Sequence, residues 1–140
     1  MKNRIEYLLI TSVTNGNPNG DPDMGNRPRM DDETGHCIIT DASTKRKIRD
    51  FVLSDINQPG YEIFIQSGIP LNNKMDAATA SLARDKDGKV TDSASAVDIL
   101  ISKYFDIRTF GAVLSTGVLK GASDGQVRGP VQIGFGRSVS

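Results

Sequence analysis

The spacing of apolar residues changes along the chain, and each change marks an expected element. Ile5 to Val13 is an apolar, β-branched run that ends at the turn-rich Asn15-Gly16-Asn17-Pro18-Asn19-Gly20-Asp21-Pro22-Asp23. It reads as a first strand, largely buried. From about residue 14 to 35 the Asn, Gly, Pro and Asp content predicts a long loop with no regular element. Between Asp41 and Ile56 the period becomes helical. Ile48, Val52 and Ile56 fall on one core-facing stripe, with Phe51 at its edge. Asp41 or Ser43 is the expected N-cap. After a turn at Gln58-Pro59-Gly60, Tyr61–Gln66 reads as a second strand.

Residues 67–92 mix Pro, Asn, Ala and charge, which predicts an inserted, mobile segment with a short helix near 75–84 and a turn at Asp87-Gly88. Ala96, Val97, Leu100, Ile101, Tyr104 and Phe105 then space a second main helix over 93–105, capped by Asp92 or Ser93. Phe110 to Leu114 starts a strand, Asp124-Gly125 marks a turn, and Val131 to Gly136 alternates with period two. Val131, Ile133 and Phe135 take one face of that last strand. Gln132, Gly134 and Gly136 take the other, where small residues permit close approach of a backbone or a nucleotide. Gly129-Pro130 interrupts pairing, so the strand is expected at an edge or to start after a bulge. An uncovered edge seeks a partner, here a copy of the chain or further strands of the fold.

A length of 140 residues fits one domain with a real core. Lys plus Arg and Asp plus Glu both number 17, so net charge gives no argument for nucleic acid. Distribution changes the picture. The stretches 45–49 and 108–140 are cationic, whereas 21–33 and 50–106 are anionic, which allows a local basic surface on a neutral protein. Lys45, Arg46, Lys47 and Arg49 crowd the start of the first helix, and Lys45, Arg46 and Arg49 share one border of its apolar stripe. Cations at a helix N-terminus are mildly unfavourable, by about 0.3–1 kcal/mol each when exposed. A bound anion reverses that sign, because free N–H groups, the dipole and the clustered cations together favour phosphate. Arg27 and Arg29, flanking Pro28, lie within reach of the same kind of ligand.

Cys37 is the single cysteine, which excludes an intrachain disulfide and a four-cysteine zinc site. With no signal-peptide core and no apolar run long enough to span a bilayer, a cytoplasmic protein without membrane contact is expected. Trp is absent, and five Phe and three Tyr are too few for an extended stacking platform. Asp21, Asp23, Asp31, Asp32 and Glu33 do not fit the spacing of a calcium loop, and His36 and Cys37 point to opposite faces if they lie in a strand. Gly129 to Gly134 has the gap of a phosphate-binding loop, but Phe135-Gly136 stands where Lys-Ser/Thr is needed. Gly134-Phe135-Gly136 overlaps the centre of the RNA-recognition-motif signature without its leading cation and second aromatic. No motif calls for a cofactor or a metal.

Three stretches taken together carry a resemblance. They are Asn17-Pro18-Asn19-Gly20-Asp21-Pro22-Asp23; Thr40-Asp41 through Lys45-Arg46-Lys47-Ile48-Arg49; and Asp106-Ile107-Arg108-Thr109-Phe110-Gly111 with Gly125-Gln126-Val127-Arg128-Gly129-Pro130-Val131-Gln132. In this order they resemble the repeated backbone subunit of the type I CRISPR interference complex Cascade, closest to the subtype I-C form. The resemblance implies an α+β fold, a modified RNA-recognition-motif, ferredoxin-like sheet with two main helices, over a single domain 1–140 with loop insertions at about 14–35 and 67–92. It also implies that such a domain continues beyond Ser140, into a thumb and a further strand.

The function implied is a non-catalytic scaffold for antiviral defence that coats CRISPR guide RNA and supports its pairing with target DNA, beside copies of itself and other Cascade subunits. By the same resemblance Lys45, Arg46 and Arg49 are phosphate contacts, Arg27 and Arg29 belong to the first loop, and Gln126, Arg128 and Gln132 lie beside the RNA path. Protein of this kind reads backbone and shape, and base pairing supplies sequence. Two alternatives stand beside it: a metal-dependent ribonuclease using Asp21, Asp23, Asp31 or Asp32, as in type III relatives, and an oligomerising protein without nucleic acid.

Overall fold

The structure, a computed structural model, describes residues 3–139. In chain order it holds strand β1 (Gly20–Asp21), β2 (Arg27–Pro28), β3 (Ile38–Ile39), helix α1 (Asp41–Asp55), α2 (Leu71–Ala78), α3 (Ser93–Lys103), α4 (Phe105–Phe110), β4 (Gly111–Val113), β5 (Gln126–Arg128) and β6 (Gly136–Arg137). This is a mixed α+β chain. Its described strands pair as three antiparallel two-stranded ribbons, β1 with β2, β3 with β6 and β4 with β5, rather than as one ferredoxin-like sheet. No helix among the described residues is long and apolar enough to cross a membrane. Two compact units form, one of residues up to Ile48 with those from Ile133 onward, the other Arg49–Gln132.

In the first unit the expected buried strand Ile5–Val13 forms no ladder. Ile5, Leu8 and Ile10 stand 73%, 83% and 82% exposed. A run buried on both faces needs neighbours on both edges, and among the described residues it has none. The long loop that follows is more ordered than its composition suggests. Asp21 caps a 3-10 turn at Pro22–Met24, Gly25 and Asn26 adopt positive φ, and the turn closes the β1–β2 ribbon. A Cβ on Gly20 would meet the side-chain Oδ1 of Asn26, which would have to turn away. The expected strand from Val131 shrinks to β6. Residues 131–135 form no ladder, Phe135 is 64% exposed, and only Gly136 and Arg137 pair, with Ile39 and Ile38.

In the second unit α3 follows its apolar period. Asp92 is the cap, accepting from Ser95 N at 3.0 Å, and Ala96, Val97 and Leu100 are buried. The helix stops earlier than the pattern implies because Tyr104 turns to extended backbone. That turn buries the Tyr104 ring, brings Phe105 N to Glu62 O at 2.8 Å and starts the short α4. Burial pushes the Tyr104 hydroxyl up to about 12. The short helix of the 67–92 segment lies at Leu71–Ala78, begun by Pro70, whose fixed φ suits a helix start. This segment gives Met75, Thr79 and Val90 to the buried interior.

Tyr61–Gln66 does not form the expected strand. Ile63 and Phe64 are buried, but Phe64 N and Ile65 N donate to the Asp106 carboxylate at 2.7 and 2.9 Å. A side chain thus takes the donors that a neighbouring strand would have used. β4 and β5 are drawn together by two glycines. Gly111 has φ +81°, and a Cβ on Gly129 would fall 2.3 Å from Gly111 N.

Candidate nucleic-acid interface

The start of α1 is built from two stretches distant in sequence. Thr40, not Asp41 or Ser43, is the cap, its Oγ1 accepting from Ser43 N at 3.2 Å. Asn19 Oδ1 in turn accepts from Thr40 N and Thr40 Oγ1, at 2.9 and 2.8 Å. Pro18 O accepts from Ser43 Oγ and from Lys47 Nζ. The Asn-Pro-Asn-Gly loop is therefore a collar around the first helical turn. Asp41, displaced by one residue from the cap, binds Lys45 Nζ at 3.0 Å, and this contact holds its carboxyl below the usual range. Arg46 and Lys47 are exposed on the outer side of the turn, and Lys45 is half-buried. The run of cations is real, but part of its charge is balanced within the helix.

Arg27 is exposed on β2, and Arg29 follows it. Arg29 reaches Asp21 at 3.5 Å, while its Nε is buried without a hydrogen-bond partner. Asp31 accepts from Glu33 N and pairs with Arg137 at 2.7 Å; the Arg137 guanidinium holds its carboxyl down at about 2. Among the described residues no group of three or more His, Cys, Asp or Glu side chains comes together as metal ligands do.

In the second unit Arg49 is turned inward. Its Nε donates to Asp106 Oδ2 at 2.9 Å, its guanidinium lies over the Phe110 ring, and its side chain is 14% exposed. Asp106, 1% exposed, accepts three hydrogen bonds in all, from Arg49, Phe64 N and Ile65 N. Breaking such a buried pair by removing one partner typically costs about 3–5 kcal/mol. The geometry makes Arg49 a fastening of α1 to the interior.

Gln126, Arg128 and Gln132 are brought together around a shallow groove of about 360 Å³ over the β4–β5 ribbon. Gly111 pairs with Arg128 and Val113 with Gln126, so these four share the outward face, while Ala112 and Val127 pack inward. Among the described residues the side chains of Gln126, Arg128 and Gln132 form no hydrogen bond or ion pair. Sequence reasoning missed Asp106, the pivot of the second unit, and Asn19, the collar of the first. The signal for Asp106 was a lone carboxylate inside the apolar Tyr104-Phe105-Asp106-Ile107.

The sequence model of the family described as CRISPR-associated protein Cas7 matches residues 3–140. A CRISPR-associated protein Cas7 of Haloferax volcanii is 33% identical over 119 residues, an alignment that covers 81% of this chain and 33% of that protein. The chain thus spans about a third of the length of this curated relative. A match over nearly every residue is decisive for kinship: the chain belongs to the Cas7 family of CRISPR-associated proteins.

Proposed function

We propose that this chain serves as a non-catalytic, guide-RNA-binding backbone subunit of a type I CRISPR interference complex, closest to subtype I-C, in the cytoplasm. The family match across residues 3–140 carries the reading. In it an RNA-recognition-like fold coats the guide beside copies of itself and other Cascade subunits, and the exposed guide pairs with target DNA. Lys45, Arg46, Arg27 and Arg29 contribute phosphate contacts from the first unit; Gln126, Arg128 and Gln132 contribute from the second. Arg49 acts through its hold on Asp106. Two of the four candidate carboxylates are engaged with the protein itself, Asp21 with Asp23 N and Arg29 and Asp31 with Arg137, which supports a scaffold over a metal-dependent nuclease.

Binding of fluorescein-labelled single-stranded RNA, followed over a salt series, tests this. The affinity should fall steeply with salt, because phosphate contacts release counterions. Lys45→Ala with Arg46→Ala should flatten the slope, and RNA incubated with magnesium or manganese should stay intact. Failure of the parent chain to bind RNA would sink the proposal, and cleavage abolished by Asp21→Ala or Asp31→Ala would replace it with a ribonuclease.

A further inference from the structure

The fold leaves the apolar run of residues 5–13 bare. All nine residues are exposed, and among the described residues none of their backbone N–H and C=O groups is hydrogen-bonded. None of them takes positive φ, so the backbone is free to form a strand; the first residue that does is Asn15, beyond the run. A segment unpaired on both edges and apolar on both faces is a template for another strand. The chain offers no internal partner of that length, since among the described residues no strand exceeds three residues. A second copy presents the same nine-residue edge.

We infer that residues 5–13 are a self-association site, at which two copies of the chain pair as antiparallel strands about a two-fold axis beside Leu9. The side chains select both orientation and register. With Leu9 opposite Leu9 of the second copy, Leu8 faces Ile10, Tyr7 faces Thr11 and Ile5 faces Val13, the aliphatic, aromatic and β-branched pairs that stabilise neighbouring strands. The charged Arg4 and Glu6 then face the neutral Thr14 and Ser12. In a parallel pair Arg4 meets Arg4 and Glu6 meets Glu6, and like charges side by side are destabilising. A slip by one residue sets Ile5 against Ser12 or Glu6 against Val13. A two-stranded ribbon is marginal by itself and its interface is small, so the dimer is weak, half-formed at roughly tens of micromolar. The pair is closed by its own symmetry and needs no RNA. It stands apart from the RNA-binding reading, and a test without RNA lets either fail alone.

Sedimentation velocity of the full chain over a concentration series should show a monomer–dimer equilibrium. Leu9→Lys should abolish it by setting two ammonium groups face to face. Melting curves check the variant, and Leu8→Lys, at the more exposed neighbour, stands in if Leu9→Lys melts early. Cysteine crosslinking with oxidised glutathione, on a Cys37→Ser background, reads the register. Directly opposed residues of an antiparallel pair have Cα atoms about 4.5–5.5 Å apart, within the span of a disulfide. Leu9→Cys should therefore give a covalent dimer. Tyr7→Cys alone should not, because the two copies of residue 7 lie four positions apart, roughly 13 Å. Tyr7→Cys mixed with Thr11→Cys should crosslink. Self-crosslinking of Tyr7→Cys as fast as that of Leu9→Cys would show parallel pairing and overturn the arrangement. A dimer that survives both lysine variants lies elsewhere on the chain and overturns the site. So does a parent that stays monomeric up to several hundred micromolar, and slow amide exchange over residues 5–13 in that monomer would assign the run to another segment of its own chain.

Discussion

Arg49 and Arg128 carry the same charge in the same unit, and the structure gives them opposite situations. Arg49 lies against a buried carboxylate and an aromatic ring, so its charge is balanced before any ligand arrives. Arg128 stands on an exposed ribbon with no counter-ion among the described residues. A run of cations in a sequence therefore says less about binding than the position of the acids that answer them. Asp106 lies 57 residues from Arg49, and nothing local to the basic stretch reveals it.

The most severe way to break this contrast is Asp106→Ala. It leaves a buried guanidinium and two backbone N–H groups without their acceptor, so unfolding stability should drop by about 3–5 kcal/mol in a urea titration. A loss under about 1 kcal/mol would show that Arg49 is not held as described. Next in size is Thr40→Ala at the α1 cap, expected to cost about 1 kcal/mol by the same titration, because Ser43 N loses its acceptor. Arg128→Ala should change stability by no more than about 0.5 kcal/mol while altering RNA affinity, the reverse of the Asp106 pattern. A stability loss as large as that of Asp106→Ala would erase the distinction between the two arginines.

The smallest expected effect is the pH response of Asp31. Its folded value, about 2, lies below the ordinary 3.8, so its contribution to stability is present above about 3.8 and is lost as pH falls toward 2. The protection factor of the Ser138 amide, whose N–H donates to Cys37 O in the β3–β6 ribbon, should fall over that window once exchange is corrected for its intrinsic pH dependence. In Asp31→Asn this acid dependence should vanish, and its persistence would assign the change to another group.

Helices were legible because their determinants are local. Val52 on the α1 stripe, Asp92 as the α3 cap and the buried Ala96, Val97 and Leu100 all lie where the period put them. The strands were not, because pairing is decided at a distance. Tyr61–Gln66 has the composition of a strand, yet its donors go to Asp106, and Ile5–Val13 has the composition of a buried strand without a neighbour among the described residues. The same holds for the candidate site. Gln126, Arg128 and Gln132 were named by resemblance and do meet around one groove, whereas Arg49, named on the same ground, turns inward.

The collar at Asn19 also bears on how the protein ages in solution. Asparagine followed by glycine is the pair most prone to lose its amide, because the next backbone nitrogen attacks the side-chain carbonyl carbon and closes a succinimide ring. Two such pairs lie close together, Asn15-Gly16 and Asn19-Gly20. Asn19 is tethered at both ends of its carboxamide, accepting twice from Thr40 and donating to Gly20 O. Asn15 has no such hydrogen bonds among the described residues. Stored protein should therefore gain negative charge first at Asn15, away from the cap. Conversion at Asn19 needs the collar to open, so isoaspartate at that position records how often the start of α1 comes undone.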